Sequence, residues 1–101
     1  MAFKMYLKKG YKEEYRRRHR ALWPEVAGLL KKAGISSYSI FLDEETHVLF
    51  AVQTLSHEEG SQSLGHEEII RKWWDYMADI MEVNPDNSPV SEPLEEMFYM
   101  E

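Results

Sequence analysis

The fold is decided by the stretch ISSYSIFLDEETHVLFAVQTL, residues 35–55 of the 101-residue chain. Residues 35–42 and 47–55 are rich in β-branched, aromatic and other apolar side chains, and the acidic turn 43–46 between them predicts an antiparallel hairpin. Apolar side chains occupy both faces of the second strand, with Val48, Phe50 and Val52 on one and Leu49, Ala51 and Leu55 on the other. Because a strand that is apolar on both faces must be covered on both, we expect the hairpin to lie inside a layered structure.

The segments before and after the hairpin supply the remaining elements. Residues 2–9 alternate apolar and polar side chains and predict a strand, and from Lys12 to Gly34 the apolar period becomes helical. Pro24 lies within that helical stretch and removes a backbone donor, so we expect a kink or two helices end to end. Beyond the hairpin, the pattern predicts a short helix over 56–63, a stronger helix over 66–81, a turn-rich loop over 84–89 and a final strand over 94–100.

The resulting order is βαββαβ within a single domain, residues 1–101. Right-handed crossovers then give a ferredoxin-like α+β sandwich, in which a four-stranded antiparallel sheet carries its helices on one face. That arrangement leaves the second, apolar face of the sheet open. A second copy of the same sheet is the simplest cover, and we therefore expect a homodimer.

Composition excludes several classes of site and partner. Cysteine is absent, which excludes disulfides, thiolate chemistry and cysteine-based zinc sites, and His47, His57 and His66 do not have the spacing of zinc ligands. The formal net charge of -6 disfavours nucleic acid, and the one basic run, residues 16–20, is flanked by acidic residues and is interpreted mainly as a solvated helix face. The sequence shows no signal peptide and no apolar stretch long enough to cross a bilayer, so we expect a soluble cytoplasmic protein with no membrane partner.

His19 is the first candidate for chemistry. It lies four residues after Tyr15, so both side chains project from the same stripe of the first helix. Imidazole is the side chain best matched to acid–base work near neutral pH. The spacing alone favours a plainer interpretation, in which His19 is a core histidine held by one hydrogen bond.

Trp73, Trp74 and Tyr38 are candidates for contact with a ligand. Adjacent helical positions point about 100° apart, so the two tryptophans cannot both sit centrally on one narrow core stripe. Indole faces and their N–H donors suit the C–H patches and hydroxyls of a sugar, whereas core packing explains either tryptophan taken alone. Tyr38 alternates with Ile40 and Leu42, so we expect a buried ring whose hydroxyl bonds to a core carbonyl or to a ligand.

Several stretches, in order along nearly the whole chain, resemble the L-rhamnose mutarotase family. They are residues 14–19 (EYRRRH), 23–25 (WPE), 38–43 (YSIFLD), 49–51 (LFA), 71–77 (RKWWDYM), 84–90 (NPDNSPV) and 98–99 (FY). The double tryptophan followed by the proline-containing loop is the most specific combination. Two features depart from the family pattern: Arg20, where relatives usually carry Asp or Asn, and residues 58–63 with their glycine.

The resemblance implies a dimeric α+β barrel that interconverts the anomers of L-rhamnose without a metal or a cofactor. It also implies that His19 is the proton donor and that the substrate is bound by Tyr15, Tyr38, Trp73 and Trp74. The base that removes the anomeric hydroxyl proton is left open between a water molecule and Tyr15. The alternatives are a monooxygenase or cyclase on the same fold and a sugar-binding module without catalysis.

Overall fold

The computed structural model describes residues 1–56 and 64–101 of the chain. Its elements are β1 (Ala2–Tyr6), α1 (Lys12–Arg20), α2 (Pro24–Lys32), β2 (Ile35–Asp43), β3 (Val48–Leu55), α3 (Glu68–Met77) and β4 (Glu92–Leu94). The short helix expected over 56–63 lies outside the described residues, apart from Ser56. His57 also lies outside them. No helix in the described ranges is long and apolar enough to span a membrane.

The strands form one four-stranded antiparallel sheet in the order β2-β3-β1-β4. β1 lies inside the sheet, where Met5 is paired with Leu49 of β3, and Phe3 with Pro93 of β4. β2 pairs with β3 as the hairpin that the sequence predicts. α1 and α2 connect β1 to β2, and α3 lies between β3 and β4. With this strand order, the arrangement is the ferredoxin-like α+β sandwich, so the predicted fold class is confirmed.

The first helical stretch is broken at Pro24, as expected. α1 ends at Arg20, and α2 begins with Pro24. The first residue of a helix makes no intrahelical hydrogen bond through its N–H, so proline is well tolerated there. Trp23, directly before it, has the extended backbone (φ -61°, ψ 130°) that a following proline favours. Both pieces contribute to the core, with Tyr15 buried from α1 and Val26 from α2.

The last helix and the last strand differ from the predicted bounds. α3 ends at Met77 rather than at residue 81, because the chain leaves the helix to form an antiparallel bridge between Met81 and Leu7. β4 is the segment Glu92–Leu94, so the strand expected over 94–100 is wrong in its position. Leu94 pairs with Ala2, where β1 begins, so the neighbouring strand offers no partner to the residues that follow.

The two faces of the sheet differ in burial. On the face toward the helices, Leu49 and Ala51 are 2% and 0% exposed and belong to a core that includes side chains of α1, α2 and α3. On the other face, Phe41 and Val52 are 61% and 47% exposed. Phe41 is paired with Phe50, so apolar side chains continue from β2 to β3. The sheet therefore has two apolar faces, as predicted, and the described part of the chain covers one of them.

Candidate active site

A cavity of about 770 Å³ lies between the helices and the core face of the sheet. The five residues selected from the sequence all line it: Tyr15, His19, Tyr38, Trp73 and Trp74. They come from α1, β2 and α3, which the fold brings together. The volume is within the range of small-molecule sites, about 300–1,000 Å³. Within residues 1–56 and 64–101, no cluster of His, Cys, Asp and Glu side chains could hold a metal ion.

His19 lies on the wall of this cavity, half-buried, with its ring held by the backbone. Its Nδ1 is 3.1 Å from the carbonyl oxygen of Tyr15, one helical turn earlier. A carbonyl oxygen can only accept, so Nδ1 carries the proton and, in the neutral ring, Nε2 keeps its lone pair. Burial lowers the pKa of His19 below its usual value, and the hydrogen bond to the Tyr15 carbonyl opposes this only in part. At neutral pH the imidazole is therefore mainly uncharged, with Nε2 as an acceptor.

Aromatic rings pack around His19. Tyr15 stacks on it with ring centroids 4.3 Å apart, and Trp73 meets it edge-on at 5.5 Å. Trp73 in turn contacts Trp23 at 5.2 Å and Tyr76 at 5.6 Å, and those two rings stack on each other at 5.5 Å. Trp73 is only 8% exposed and belongs to the core, and it also lines the cavity, so its contact with a ligand stays a prediction. The contacts of Trp23 with Trp73 and Tyr76 were not predicted from the sequence.

Tyr15 and Tyr38 bring two phenol groups to the cavity. Burial, and after it the proximity of Tyr38, raises the pKa of Tyr15 far above its usual value. The Tyr15 hydroxyl therefore remains an O–H donor near neutral pH, which makes it unsuited to the role of base that the sequence left open. Tyr38 is half-buried on β2, on the same face as Ile40 and Leu42.

Trp74 packs closely against Gly65, which leaves room for the indole ring. It is 7% exposed and lines the cavity beside Trp73. A methyl group on Gly65 would lie 2.9 Å from Cη2 and 3.0 Å from Cζ3 of the indole. Because these distances are shorter than van der Waals contact, the indole can occupy its position only while residue 65 has no side chain.

The rim of the cavity is polar and carries residues that sequence reasoning missed. Lys12, Arg16 and Arg20 line it from α1, at four-residue steps that place them on one side of the helix. Glu44, from the turn between β2 and β3, also lines it and pairs with Lys12. The spacing of the three cations was a usable signal, whereas Glu44 reaches the rim only through the fold of the hairpin.

Arg18, in the middle of the basic run, is buried rather than solvated. It is 8% exposed and bonds to Glu14 and Asp79. The interpretation of residues 16–20 as a solvated face is wrong for this residue. Its side chain points to the end of α3, whereas the neighbouring Arg17 is exposed.

Comparisons with known proteins match nearly the whole chain. The sequence model of the family described as L-rhamnose mutarotase matches residues 1–100. An L-rhamnose mutarotase of Bacteroides thetaiotaomicron is 65% identical over 100 residues, which are 99% of this chain and 96% of that protein. One from Formosa agariphila is 64% identical over 101 residues, which are 100% of this chain and 97% of that protein. The crystal structure of an L-rhamnose mutarotase from Formosa agariphila superposes with a TM-score of 0.92 at 62% identity, over 99% of this chain and 96% of that one.

Proposed function

The chain belongs to the L-rhamnose mutarotase family, and on that basis we propose how its cavity carries out the reaction. The protein is a carbohydrate isomerase that interconverts the α and β anomers of L-rhamnose. Membership in the family decides between this activity and the monooxygenase, cyclase or simple binding functions that the fold alone would allow.

Interconversion of the anomers requires the sugar ring to open and to close again on the other face of the carbonyl carbon. On opening, a base removes the proton of the anomeric hydroxyl, and an acid protonates the ring oxygen as its bond to the anomeric carbon breaks. On closing, the two proton transfers run in reverse. The reaction consumes neither protons nor electrons overall, so two side chains or waters that exchange protons are sufficient for it.

His19 is the proton-transferring residue in this proposal. Its Nδ1–H is engaged by the Tyr15 carbonyl and burial keeps its pKa low, so Nε2 is an acceptor at neutral pH. Nε2 takes the anomeric proton on opening, and the imidazolium returns it to the carbonyl oxygen on closing. The donor role implied by the family resemblance then belongs to the closing half of the reaction. Such acid–base assistance is typically worth about 10²- to 10⁴-fold in rate.

The other lining residues bind and orient the sugar in this proposal. The Tyr15 hydroxyl, which holds its proton near neutral pH, donates a hydrogen bond to the ring oxygen. It transfers that proton as the bond from the ring oxygen to the anomeric carbon breaks, and it takes the proton back on closing. Trp73 and Trp74 offer indole faces to C–H groups of the sugar, and the Tyr38 hydroxyl contacts one of its hydroxyls. Support comes from the position of all these residues in the lining of one cavity of small-molecule size.

The observation that carries the proposal is the imidazole held by the Tyr15 carbonyl on the cavity wall, and His19→Gln tests it. Glutamine keeps much of the volume and can still hydrogen-bond, but it cannot take and return a proton near neutral pH. We expect this variant to lose most of the enzyme-dependent anomer exchange, measured by NMR of L-rhamnose after the spontaneous rate is subtracted. His66→Gln, at a position 71% exposed outside the cavity lining, is the matched control. A folded His19→Gln protein with near wild-type exchange would refute the assignment.

We also propose that two copies of the chain assemble through the open face of the sheet. Phe41 and Val52 are exposed there, and the apolar residues 97–100 after β4 are 73–85% exposed. An exposed apolar patch such as that of Phe41 and Val52 is typical of a surface that contacts another protein. A two-fold pairing of identical sheets covers the patch on both copies at once. The cytoplasmic location expected from the sequence stays a prediction.

A further inference from the structure

Arg18 is a buried cation that the proposed chemistry does not use. It is 8% exposed, whereas the side chains of Arg16 and Arg17 beside it are 49% and 64% exposed. A buried charge is costly unless it is paired and hydrogen-bonded, so its partners show what such a side chain holds in place.

All three guanidinium nitrogens of Arg18 are bonded. Nε donates to Oε2 of Glu14 at 2.8 Å, on the same helix. Nη1 donates to the backbone oxygen of Tyr76 at 2.7 Å and to Oδ1 of Asp79 at 2.8 Å, and Nη2 donates to Oδ2 of Asp79 at 3.2 Å. The guanidinium fork therefore joins α1 to the C-terminal end of α3, in a planar pairing that a lysine ammonium cannot reproduce.

The carboxylates of this arrangement stay charged when His19 titrates. Hydrogen bonds from Arg17 and then from Arg18 lower the pKa of Glu14 to about 2. The hydrogen bond from Arg18 likewise lowers the pKa of Asp79. A change of pH near neutrality therefore leaves the contacts of Arg18 intact while it alters His19.

A continuous set of contacts leads from Arg18 to the catalytic imidazole. The guanidinium carbon lies 4.5 Å from the centroid of the Tyr76 ring. That ring contacts Trp73 at 5.6 Å, and Trp73 meets the His19 ring at 5.5 Å. Because Arg18 and His19 are consecutive residues of α1, anchoring Arg18 to the end of α3 also sets the distance between His19 and Trp73.

We propose that Arg18 is a positioning residue for His19, whose fork to Asp79 and Tyr76 holds α1 against α3 and keeps the imidazole at the edge of Trp73. The inference rests on the proposed role of His19. Without the fork α1 can shift, and a displacement of about 1 Å at a reacting group costs on the order of 10²-fold in rate. The binding of L-rhamnose changes less, because only Tyr15 of the four proposed binding residues lies on α1, whereas Trp73, Trp74 and Tyr38 lie on other elements.

The test compares Arg18→Lys with Arg71→Lys, which is the same change at an exposed residue of α3 that does not line the cavity. We expect Arg18→Lys to lower kcat for anomer exchange about 10- to 100-fold. Its KM should change by less than about threefold, because the interaction lost acts on the transition state and not on binding. Arg71→Lys should leave both constants close to the wild-type values.

The NMR chemical shift of the proton on Cε1 of His19 reports the position of the ring. A change in stability alone would leave this chemical shift unaltered. The rings of Tyr15 and Trp73 against the imidazole shift its NMR signal, so we expect Arg18→Lys, and not Arg71→Lys, to change that shift. A purely structural role predicts a lower Tm with kcat and the imidazole signal unchanged, and that result would overturn the inference. If Arg18→Lys does not fold, Asp79→Asn, which keeps the shape of the partner, is judged by the same two measurements.

His19→Gln separates failure of this inference from failure of the proposed function. Wild-type exchange in His19→Gln would remove the role of His19 and the positioning role of Arg18 together. An inactive His19→Gln beside a fully active Arg18→Lys would overturn the positioning role alone.

Discussion

Replacing Gly65 by alanine is expected to displace Trp74. The added methyl group would lie 2.9 Å from the indole, and ordinary contact begins at 3.4 Å, so the two groups must separate by about 0.5 Å. The indole is rigid and 7% exposed, so it cannot swing into solvent without disturbing the core. Overpacking of this kind costs about 1–3 kcal/mol in the free energy of unfolding. For a chain of this size, each kcal/mol lowers Tm by about 4–8 °C.

The same displacement should change binding, because Trp74 lines the cavity. We expect KM for L-rhamnose to rise in Gly65→Ala, with a smaller effect on kcat because His19 lies on a different helix. Thermal unfolding by circular dichroism and anomer exchange by NMR measure the two effects. Gly28→Ala is the matched control, since its methyl group would have no heavy atom within 4 Å and, inside α2, should stabilise by about 0.5–1 kcal/mol. Unchanged Tm and KM in Gly65→Ala would refute this account of the packing.

The remaining predictions concern pH, assembly and selectivity. Exchange requires neutral His19, whose pKa is lowered by burial. We therefore expect the enzyme-dependent rate to be constant near neutral pH and to fall at lower pH, where the ring becomes protonated. A rate that falls as the pH rises would instead make His19 the acid of ring opening. Because the unfolded chain binds this proton at about pH 6.5 and the folded chain only at lower pH, the free energy of unfolding measured with urea should decrease as the pH falls below about 6.5. Light scattering should give twice the chain mass of 12.0 kDa for the wild type and a lower mass for Phe41→Lys, and a wild-type monomer would contradict the proposed assembly. L-mannose is L-rhamnose with a hydroxyl on its methyl carbon. Its kcat/KM should be about 10- to 100-fold lower, because buried lining residues such as Met5, Met77 and Met81 offer that hydroxyl no strong partner. Equal kcat/KM values for the two sugars would count against this.

The strands and the break between the first two helices follow from local patterns. Leu49 and Ala51 alternate with Val48, Phe50 and Val52 on β3, and the structure buries the face that Leu49 and Ala51 share. Pro24 begins α2 because a proline lacks the N–H that a helix interior needs. These features depend on residues only a few positions apart, so they could be predicted without the rest of the fold.

The position of β4 and the burial of Arg18 could not be predicted in this way. β4 ends its pairing at Leu94 because its partner strand begins at Ala2, at the other end of the chain. Arg18 is buried because Asp79, 61 positions later, accepts its hydrogen bonds. A periodic pattern within one segment carries no information about a partner so far away in the sequence.

The same distinction holds for the site. The four-residue spacing of Tyr15 and His19 is enough to stack two rings on one helical stripe, and the sequence by itself determined that much. Only the tertiary structure placed Tyr38 and Trp73 in the same cavity as these rings. It also decided the protonation of His19, because the pKa of an imidazole depends on how much water the surrounding fold excludes, and no spacing within one helix determines that.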